Sequence, residues 1–218
     1  MKHYKYIIFD LDGTLTDSAP GVINAIVYAL EHLGVDVPEK KVLSTFVGPP
    51  LRESFHHSCG LSLEKTEEAI RFFREYYAPT GIYENSAYPG IAAALARLKD
   101  AGRTLAVATS KLDESAVQVV EHFGLAPYLD FVAGSTADGT RWDKADVLRY
   151  ARARLGADAD DALMVGDRKY DVEGAAKNGV ACMGVLYGYG DREELERAGA
   201  LCLAETPEDI ARLILADQ

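Results

Sequence analysis

Short apolar segments alternate with amphipathic stretches along most of this 218-residue chain. The apolar segments are rich in Ile, Val, Leu and Phe, and residues at helical spacing lie between most of them. Parallel strands that are covered on both faces by helices have this near-continuous apolar character. The sequence therefore predicts an α/β fold with a doubly wound parallel sheet. The predicted strands cover residues 6–9, 104–108, 130–133, 162–165 and 181–186.

Capping residues and glycines mark the ends of the predicted helices. Apolar residues at helical spacing predict helices over residues 91–101, 114–123 and 144–155, and a glycine follows each of them. The segment Thr206-Pro207-Glu208 combines an N-cap residue, a first-turn proline and a first-turn acid. It therefore predicts the start of the last helix.

One connection between successive strands is far longer than a crossover requires. The first predicted strand ends at Phe9 and the second begins at Thr104, whereas a crossover needs about a dozen residues. Apolar residues recur at helical spacing over residues 20–33 and again over residues 69–77. We therefore expect a helical domain inserted into a core domain. The predicted boundaries are 1–15 and 86–218 for the core and 16–85 for the insertion.

The composition is that of a globular protein with an excess of acidic residues. Hydrophobic residues make up 48% and charged residues 26% of the chain, and the formal net charge is −11. This charge disfavours nucleic-acid polymers and anionic membranes as partners. The apolar run before Asp10 is too short for a signal peptide or a membrane span, and the three cysteines lack disulfide or zinc spacing. We expect a cytoplasmic protein that is a monomer or a weak dimer.

Polar side chains follow three of the predicted strands at the point where each strand ends. In an open parallel sheet, ligands bind beyond the carboxyl ends of the strands. Side chains in these positions are therefore expected to share one site, although they are far apart in the sequence. They are Asp10 and Asp12, then Thr109, Ser110 and Lys111, and then Asp167, with Asp171 four residues later.

The carboxylates in this set imply a metal ion. Clustered carboxylates repel one another and raise one another's pKa unless a cation lies among them. Hard oxygen ligands suit Mg²⁺, which keeps several waters and commonly binds substrate phosphate oxygens as well. The implied substrate is therefore a phosphate compound. The hydroxyl of Thr109 and the ammonium of Lys144, at a predicted helix start, are suited to hold further phosphate oxygens.

Four motifs, in this order, resemble those of the haloacid dehalogenase (HAD) superfamily of phosphohydrolases. DLDGT at residues 10–14 resembles the first motif, Thr109-Ser110 the second, Lys144 the third and GDRKYD at residues 166–171 the fourth. The segments FVGPPLRES, GDRKYDVEGA and GVLYGYG resemble the phosphoglycolate phosphatase-like group, and within it the bacterial 5′-nucleotidase-like branch. The resemblance spans the chain and implies a Rossmann-like core with an inserted α-helical cap domain.

The resemblance implies a catalytic role for each matching position. Asp10 would be the nucleophile that forms an aspartyl-phosphate. Asp12 would protonate the leaving oxygen and then activate water. Thr109, Ser110 and Lys144 would bind the phosphoryl group and stabilise its charge.

The resemblance also implies a set of metal ligands. Mg²⁺ would be bound by one oxygen of Asp10, the backbone carbonyl of Asp12 and the carboxylate of Asp167. Asp171 would orient a metal-bound water without binding the metal directly. The paired acids at the end of the first strand would then be tolerated because a cation neutralises them.

The inserted helical domain resembles a cap that closes over substrate and selects the leaving group. By position, Gly48 and Arg52 match the specificity loop of such a cap. Arg52 would pair with a substrate anion, although a surface arginine fits the sequence nearly as well. Lys111, Arg168 and Lys169 are expected to be surface charges near the site that moderate its negative field.

The implied reaction is Mg²⁺-dependent hydrolysis of a small phosphate monoester, with a nucleoside 5′-monophosphate as the first candidate substrate. 2-Phosphoglycolate, sugar phosphates and phosphotyrosine are alternative substrates. A phosphomutase would retain the same four motifs and is not excluded by them. An inactive binding module would have lost the nucleophile or a metal ligand, and every expected position is occupied here.

Overall fold

A central parallel sheet organises the structure, a computed structural model that describes residues 2–49 and 51–216. Pro50 of the predicted cap loop and the two ends of the predicted core domain lie outside these residues. Six strands form the main sheet and two short strands form a separate pair. In chain order the strands are β1 (Tyr6–Phe9), β2 (Thr16–Asp17), β3 (Ser86–Ala87), β4 (Thr104–Leu112), β5 (Phe131–Ser135), β6 (Ala162–Gly166), β7 (Ala181–Val185) and β8 (Cys202–Ala204).

The main sheet has the order β5-β4-β1-β6-β7-β8, and all its strands are parallel. All five predicted strands are present in it. After β1, the chain adds β4 and then β5 on one side of it. It then crosses to the other side of β1 and adds β6, β7 and β8 in turn. The direction of winding therefore reverses between β1 and β6, which is where an open α/β sheet opens a crevice for ligands.

Helices cover both faces of this sheet. Short 3₁₀ turns lie between several of them. The helices are α1 (Ala19–His32), α2 (Lys40–Leu43), α3 (Leu51–Glu53), α4 (Leu63–Tyr77), α5 (Ile91–Asp100), α6 (Asp113–His122), α7 (Lys144–Leu155), α8 (Lys169–Lys177), α9 (Arg192–Ala198) and α10 (Pro207–Leu215). The core helices predicted from the sequence, α5, α6, α7 and α10, begin and end close to the predicted positions, and α7 coincides with its prediction, whereas α8 and α9 were not predicted.

The alternation of side chains along β1 divides the core into two layers. Ile7 and Phe9 lie in the cluster that α1, α4, α5 and α10 cover. Ile8, between them, lies in the cluster that α7 and α8 cover, which includes Leu148 and Val172. All three β1 residues are fully buried, so β1 is fixed from both faces. The residues that follow β1 are consequently held in a well-defined position.

The helical segment leaves and rejoins the rest of the chain at one place. β2 and β3 pair in antiparallel fashion, with Thr16 opposite Ala87 and Asp17 opposite Ser86. Between these strands, α1 and α4 pack against each other. Ile26 of α1 lies in the apolar cluster beside the sheet. The division into two domains at residues 16 and 85 remains a proposal. None of the described helices has the length and apolar character that a bilayer crossing requires.

Several strands differ from the predictions, most clearly β4 and β8 in the main sheet, and the short strands β2 and β3 were not predicted either. β4 continues to Leu112 rather than ending at Ala108, and its pairing with β5 becomes irregular between these residues. β8 was not predicted, because its three residues are too few to stand out as an apolar segment. It pairs with β7 and completes the sheet edge that α10 covers.

Candidate active site

The polar residues that follow β1, β4 and β6 meet at the carboxyl edge of the sheet. β1 lies between the other two strands, so its neighbours on both sides deliver side chains to the same crevice. The backbone N–H of Asp10 donates to the carbonyl of Val165 at 2.8 Å, which extends the β1–β6 pairing into the site. Asp10 therefore takes its position from the two most deeply buried strands of the sheet.

Lys144 brings two of these carboxylates together. Its Nζ lies 2.7 Å from Asp10 Oδ1 and 2.9 Å from Asp171 Oδ1, and all three side chains are buried. Lys144 is the first residue of α7, whose N-cap Asp143 accepts a hydrogen bond from the backbone of Asp146. Burial alone would lower the pKa of Lys144, but its two acidic partners raise that pKa above its ordinary value. The lysine is therefore charged at neutral pH.

Asp167 is held by the loops around it. Its Oδ1 accepts from the hydroxyl of Thr14 at 3.2 Å, and its Oδ2 accepts from the backbone N–H of Tyr189 at 2.8 Å. Gly13 has a positive φ of 82°, and a Cβ there would lie 2.2 Å from Asp167 Oδ2. Only glycine allows the loop after β1 to approach this carboxylate so closely. The GVLYGYG segment contacts Asp167 through this backbone N–H of Tyr189.

Asp10, Asp167 and Asp171 form a buried group of three carboxylates with oxygens within 4.8 Å of one another. Burial raises the pKa of Asp10 to about 6, and burial together with Asp171 and Asp10 raises the pKa of Asp167 well above its usual range. When ionised, the three carboxylates beside one lysine leave an excess of two negative charges. A divalent cation fits this donor set, because its charge would balance the excess and its preferred ligands are oxygens.

The expected metal-site roles of Asp171 and Asp12 stay predictions. Asp171, expected to act only through a water, lies in the same group as Asp10 and Asp167 and also accepts from the backbone N–H of Arg168. The carboxylate of Asp12 does not belong to the group and lies instead against Lys111. Participation of the Asp12 backbone carbonyl in metal binding stays a prediction.

The prediction that Lys111 is a surface charge is wrong. Its side chain is 7% exposed, and its Nζ lies 2.9 Å from Asp12 Oδ2 and 2.6 Å from Tyr77 Oη. The continuation of β4 beyond Ala108 carries Lys111 over the edge of the sheet and under the end of α4. Asp12 is 15% exposed, so the ion pair is largely shielded from water.

The prediction that Arg168 is a surface charge is also wrong. Its side chain is 13% exposed, and its guanidinium donates to Glu194 of α9 and to the backbone carbonyl of Val47 at 2.8 Å. Lys169, by contrast, is exposed as expected. Arg168 therefore ties the loop after β6 to the loop that precedes α3.

The two residues after Ala108 lie at the carboxyl edge of the sheet, and their role in phosphate binding stays a prediction. Thr109 is buried, and its hydroxyl accepts from the backbone N–H of Lys111 at 3.2 Å. Ser110 is half-buried and lines a groove that also contacts Lys144. Both residues therefore lie at the carboxyl edge of the sheet, next to Asp10 and its lysine partner.

A groove of about 210 Å³ extends from Ser110 and Lys144 between α7, α8 and α3. Trp142 and Tyr170 contribute aromatic surface to it, and Trp142 is 48% exposed. A larger open cleft of about 390 Å³ between α8 and α9 is lined mostly by charged side chains and contains no residue of the carboxylate group. The smaller groove is the better candidate for a leaving-group site, because it adjoins Lys144.

Gly48 and Arg52, predicted to select the substrate, lie in different surroundings. Gly48 lines the groove together with Glu53. Arg52 is not one of the residues that line it, and its 63% exposed side chain pairs with Glu67 of α4 at 2.6 Å. A role for Arg52 in substrate selection stays a prediction.

Several residues at this edge were not predicted from the sequence to belong to the site. Tyr77, Trp142 and Tyr189 reach it from three separate segments of the chain. The aromatic stripe that contains Tyr77, within residues 72–77, is typical of a helix core, and its spacing does not distinguish Tyr77 from Tyr76, whose hydroxyl donates to Glu84 instead. No sequence spacing links these residues, because folding alone brings them together.

Comparison with known proteins places these features in a family. The family model described as haloacid dehalogenase-like hydrolase matches residues 7–185. A protein named 5′-nucleotidase from Pseudomonas aeruginosa is 42% identical over 192 residues, which cover 88% of this chain and 87% of that protein. A protein named tyrosine-protein kinase PtkA from Mycobacterium tuberculosis is 43% identical over 191 residues. These cover 88% of this chain but 65% of PtkA.

Solved structures agree with the family model. A crystal structure of a predicted phosphatase from Clostridium acetobutylicum superposes with a TM-score of 0.95 and 44% sequence identity. The superposition covers 99% of this chain and 100% of that one. The chain therefore belongs to the haloacid dehalogenase-like hydrolase family, among its phosphatases.

Proposed function

We propose that this protein is a Mg²⁺-dependent phosphomonoester hydrolase that acts through an aspartyl-phosphate on Asp10, with a nucleoside 5′-monophosphate as substrate. The observation that carries the proposal is the position of Asp10. It is buried, it is paired with Lys144 at 2.7 Å, and it lies in a carboxylate group with an excess of two negative charges. This arrangement suits a nucleophile that works beside a divalent cation.

Asp10, Asp167 and Asp171 would hold the Mg²⁺ ion. When bound, the ion would neutralise the carboxylates and withdraw charge from the phosphoryl oxygens. Lys144 would remain charged and keep Asp10 ionised and oriented. Thr109 and Ser110 would donate to the phosphoryl oxygens from the end of β4.

Two aspartates would divide the chemistry between them. An oxygen of Asp10 attacks phosphorus and forms a bond to it, while the bond from phosphorus to the ester oxygen breaks. Asp12, as the carboxylic acid, gives its proton to the ester oxygen, and the alcohol leaves. Water then attacks phosphorus and gives a proton to the Asp12 carboxylate, while the bond to Asp10 breaks. The products are the alcohol and inorganic phosphate, and both aspartates return to their starting forms.

The groove beside Lys144 supports a nucleoside as the leaving group. It offers the aromatic surface of Trp142 and Tyr170 for a base and the Glu53 carboxylate for sugar or base donors. The groove is lined by three carboxylates, Glu53, Asp143 and Glu173, and by two lysines, Lys144 and Lys177, and this excess of negative charge disfavours an acidic leaving group such as glycolate. The similarity to the 5′-nucleotidase of P. aeruginosa supports the same substrate class.

The helical segment would act as the cap over this site, with boundaries at residues 16 and 85. Two contacts support this role. Tyr77 at the end of α4 reaches Lys111, and Gly48 and Glu53 line the groove next to Ser110. Closure of such a segment would exclude bulk water from the aspartyl-phosphate.

Phosphotyrosine is a second candidate substrate. The same groove would accept an aromatic ring, and PtkA, which shares 43% identity with this chain, is named a tyrosine-protein kinase. A tyrosyl group has no sugar to engage Glu53. A comparison of the two substrates therefore separates the candidates.

The test is release of inorganic phosphate, with Mg²⁺, from a panel of phosphate esters. The panel contains nucleoside 5′-monophosphates, 2-phosphoglycolate, sugar phosphates and phosphotyrosine, and Asp10→Asn serves as the blank. We expect the highest kcat/KM for a nucleotide, a loss of at least about 10³-fold in Asp10→Asn, and inactivation by EDTA that Mg²⁺ reverses. A preference for another ester would overturn the substrate, and full activity in Asp10→Asn would overturn the nucleophile. Interconversion of phosphate esters without phosphate release would identify a mutase.

A further inference from the structure

We propose that Lys111 is a positioning residue that orients the proton-transferring carboxylate Asp12, and that Tyr77 of α4 holds Lys111 in place. The inference rests on the proposed function, because it assigns part of the same hydrolysis. The inference goes beyond that function because it assigns a role to Lys111, which follows the second motif, and to Tyr77, which belongs to the helical segment.

The contacts of Asp12 are markedly unequal between its two oxygens. Oδ2 lies 2.9 Å from Lys111 Nζ, whereas Oδ1 is buried and has no hydrogen-bond partner among the described residues. A buried carboxylate oxygen without a partner is costly unless a ligand or water meets it. Oδ1 is therefore the oxygen available to the substrate.

The chemistry of lysine makes this asymmetry useful. An ammonium has three donors and no acceptor, so Lys111 can only donate to Oδ2. When Asp12 is the carboxylic acid, Oδ2 must then be its carbonyl oxygen, and the proton must lie on Oδ1. When Asp12 is the carboxylate, the same contact leaves Oδ1 free to receive a proton from water. Lys111 would thus present the same oxygen in both half-reactions.

Tyr77 fixes the ammonium from the opposite side. Its Oη accepts from Lys111 Nζ at 2.6 Å, and the ammonium also lies 4.7 Å from the centre of the Tyr77 ring. The ring stacks on Phe73 one turn earlier in α4, at 5.2 Å between ring centres. Both aromatic residues are buried. The position of Lys111 therefore depends on the packing of the helical segment as well as on β4.

A comparison of two leaving groups isolates this role. Alkoxide leaving groups need a proton from Asp12, whereas p-nitrophenolate leaves readily without one. The quantity to measure is kcat/KM, which reports the steps up to departure of the leaving group and is blind to the later hydrolysis of the aspartyl-phosphate. The substrates are a nucleoside 5′-monophosphate, which is an alkyl ester, and p-nitrophenyl phosphate.

The expected result is a selective loss. Lys111→Met should lower kcat/KM for the nucleotide on the order of 10- to 100-fold and for p-nitrophenyl phosphate less than about fivefold. Tyr77→Phe, which keeps the ring and removes the hydroxyl, should show the same pattern with a smaller loss. Asp12→Asn should show the pattern at full size. The double variant Lys111→Met/Asp12→Asn should be no slower than Asp12→Asn, because Lys111 acts through Asp12.

Controls separate this role from structural damage. Lys169→Met removes an exposed lysine near the same edge and should leave both values unchanged. An equal loss with both esters in Lys111→Met and Tyr77→Phe would show a role in substrate binding or folding and would overturn the inference, as would unchanged activity in both. If wild-type protein and Asp10→Asn release p-nitrophenol equally, the proposed function fails and this inference fails with it.

Discussion

Lys144 holds together the most strongly charged part of the molecule. It contacts two buried carboxylates on different elements and donates to the backbone carbonyl of Ala108 at 3.2 Å, so its three donors are all used within the protein. Breaking such a pair leaves buried charge without a partner, which costs far more than losing a surface pair. The residue therefore has a structural duty in addition to its proposed catalytic one.

We predict that Lys144→Met lowers the free energy of unfolding by about 3 kcal/mol in EDTA, because Asp10 and Asp171 lose their shared cation. Lys99→Met is the matched control. Lys99 pairs with Asp130 at 2.8 Å, but both side chains are partly exposed, so this change should cost no more than about 1 kcal/mol. Denaturant unfolding measures both. Equal losses in the two variants would contradict the special status of Lys144.

Gly13 permits the close approach of the first loop to Asp167. We predict that Gly13→Ala weakens Mg²⁺ binding at least about tenfold, because its Cβ would displace Asp167 from the carboxylate group. The measurement is the rise in Tm with Mg²⁺ concentration. Gly139→Ala is the control, since Gly139 has a similar φ of 75° with open space around it. Indistinguishable Mg²⁺ titrations of the two variants would refute the prediction.

Some residues of the candidate site could be predicted from the sequence, but their surroundings could not. Asp10, Asp167 and Lys144 were predictable because strand ends and the four motifs mark them. The surroundings of Lys111 and Arg168 were not. Their partners Tyr77 and Val47 lie on the helical segment, and no local pattern shows how that segment packs on the sheet.

At the scale of elements, the groove between α7, α8 and α3 is the feature that bears on the substrate. We predict that Trp142→Ala raises KM for nucleoside 5′-monophosphates about tenfold, because stacking of a base on an aromatic ring contributes about 1–3 kcal/mol. The KM for 2-phosphoglycolate, which has no ring, should not change. Trp142→Phe should retain most of the affinity. A parallel rise in KM for both substrates would argue against a base-stacking role.

The fluorescence of Trp142 allows ligand binding in the groove to be measured directly. Trp142 is the only tryptophan in the sequence, so intrinsic fluorescence reports this one location. In Asp10→Asn, which should bind substrate without turning it over, a nucleotide is expected to quench this emission to saturation. Unchanged emission under conditions in which calorimetry detects nucleotide binding would place the base elsewhere.

Elements with strong local signals were the predictable ones. α7 was predicted to the residue, because Asp143 caps it and Gly156 ends it with a left-handed conformation. The continuation of β4 to Leu112 was missed, because residues after Ala108 are polar and their strand geometry comes from irregular pairing with β5. β8 was missed because tertiary pairing with β7, and not its own three residues, makes it a strand.

At the scale of the whole molecule, the buried carboxylates couple stability to pH. Burial raises the pKa of Asp10 to about 6, and the pKa of Asp167 is also raised. The folded, metal-free protein therefore binds these protons more tightly than the unfolded chain. Their contribution to the free energy of unfolding rises as pH falls from 7 through about 6.

We predict that in EDTA the free energy of unfolding of wild-type protein gains about 1 kcal/mol, relative to Asp10→Asn, between pH 7 and pH 5. Saturating Mg²⁺ should abolish this gain, because the cation and the protons compete for the same oxygens. Denaturant unfolding at several pH values measures it. A difference between the two proteins that stays constant or shrinks on acidification would contradict the assigned environment of Asp10.

The antiparallel pair of β2 and β3 has an evolutionary consequence. Because Thr16 lies opposite Ala87, the two ends of the helical segment are neighbours, and everything between them is attached at a single point. A segment of another length or architecture would join the same two strands without changing the order or register of the main sheet. Under the proposed function, natural exchange of this segment would alter the choice of substrate and the contact of Tyr77 with Lys111, while Asp10, Asp167 and Lys144 keep their positions in the core.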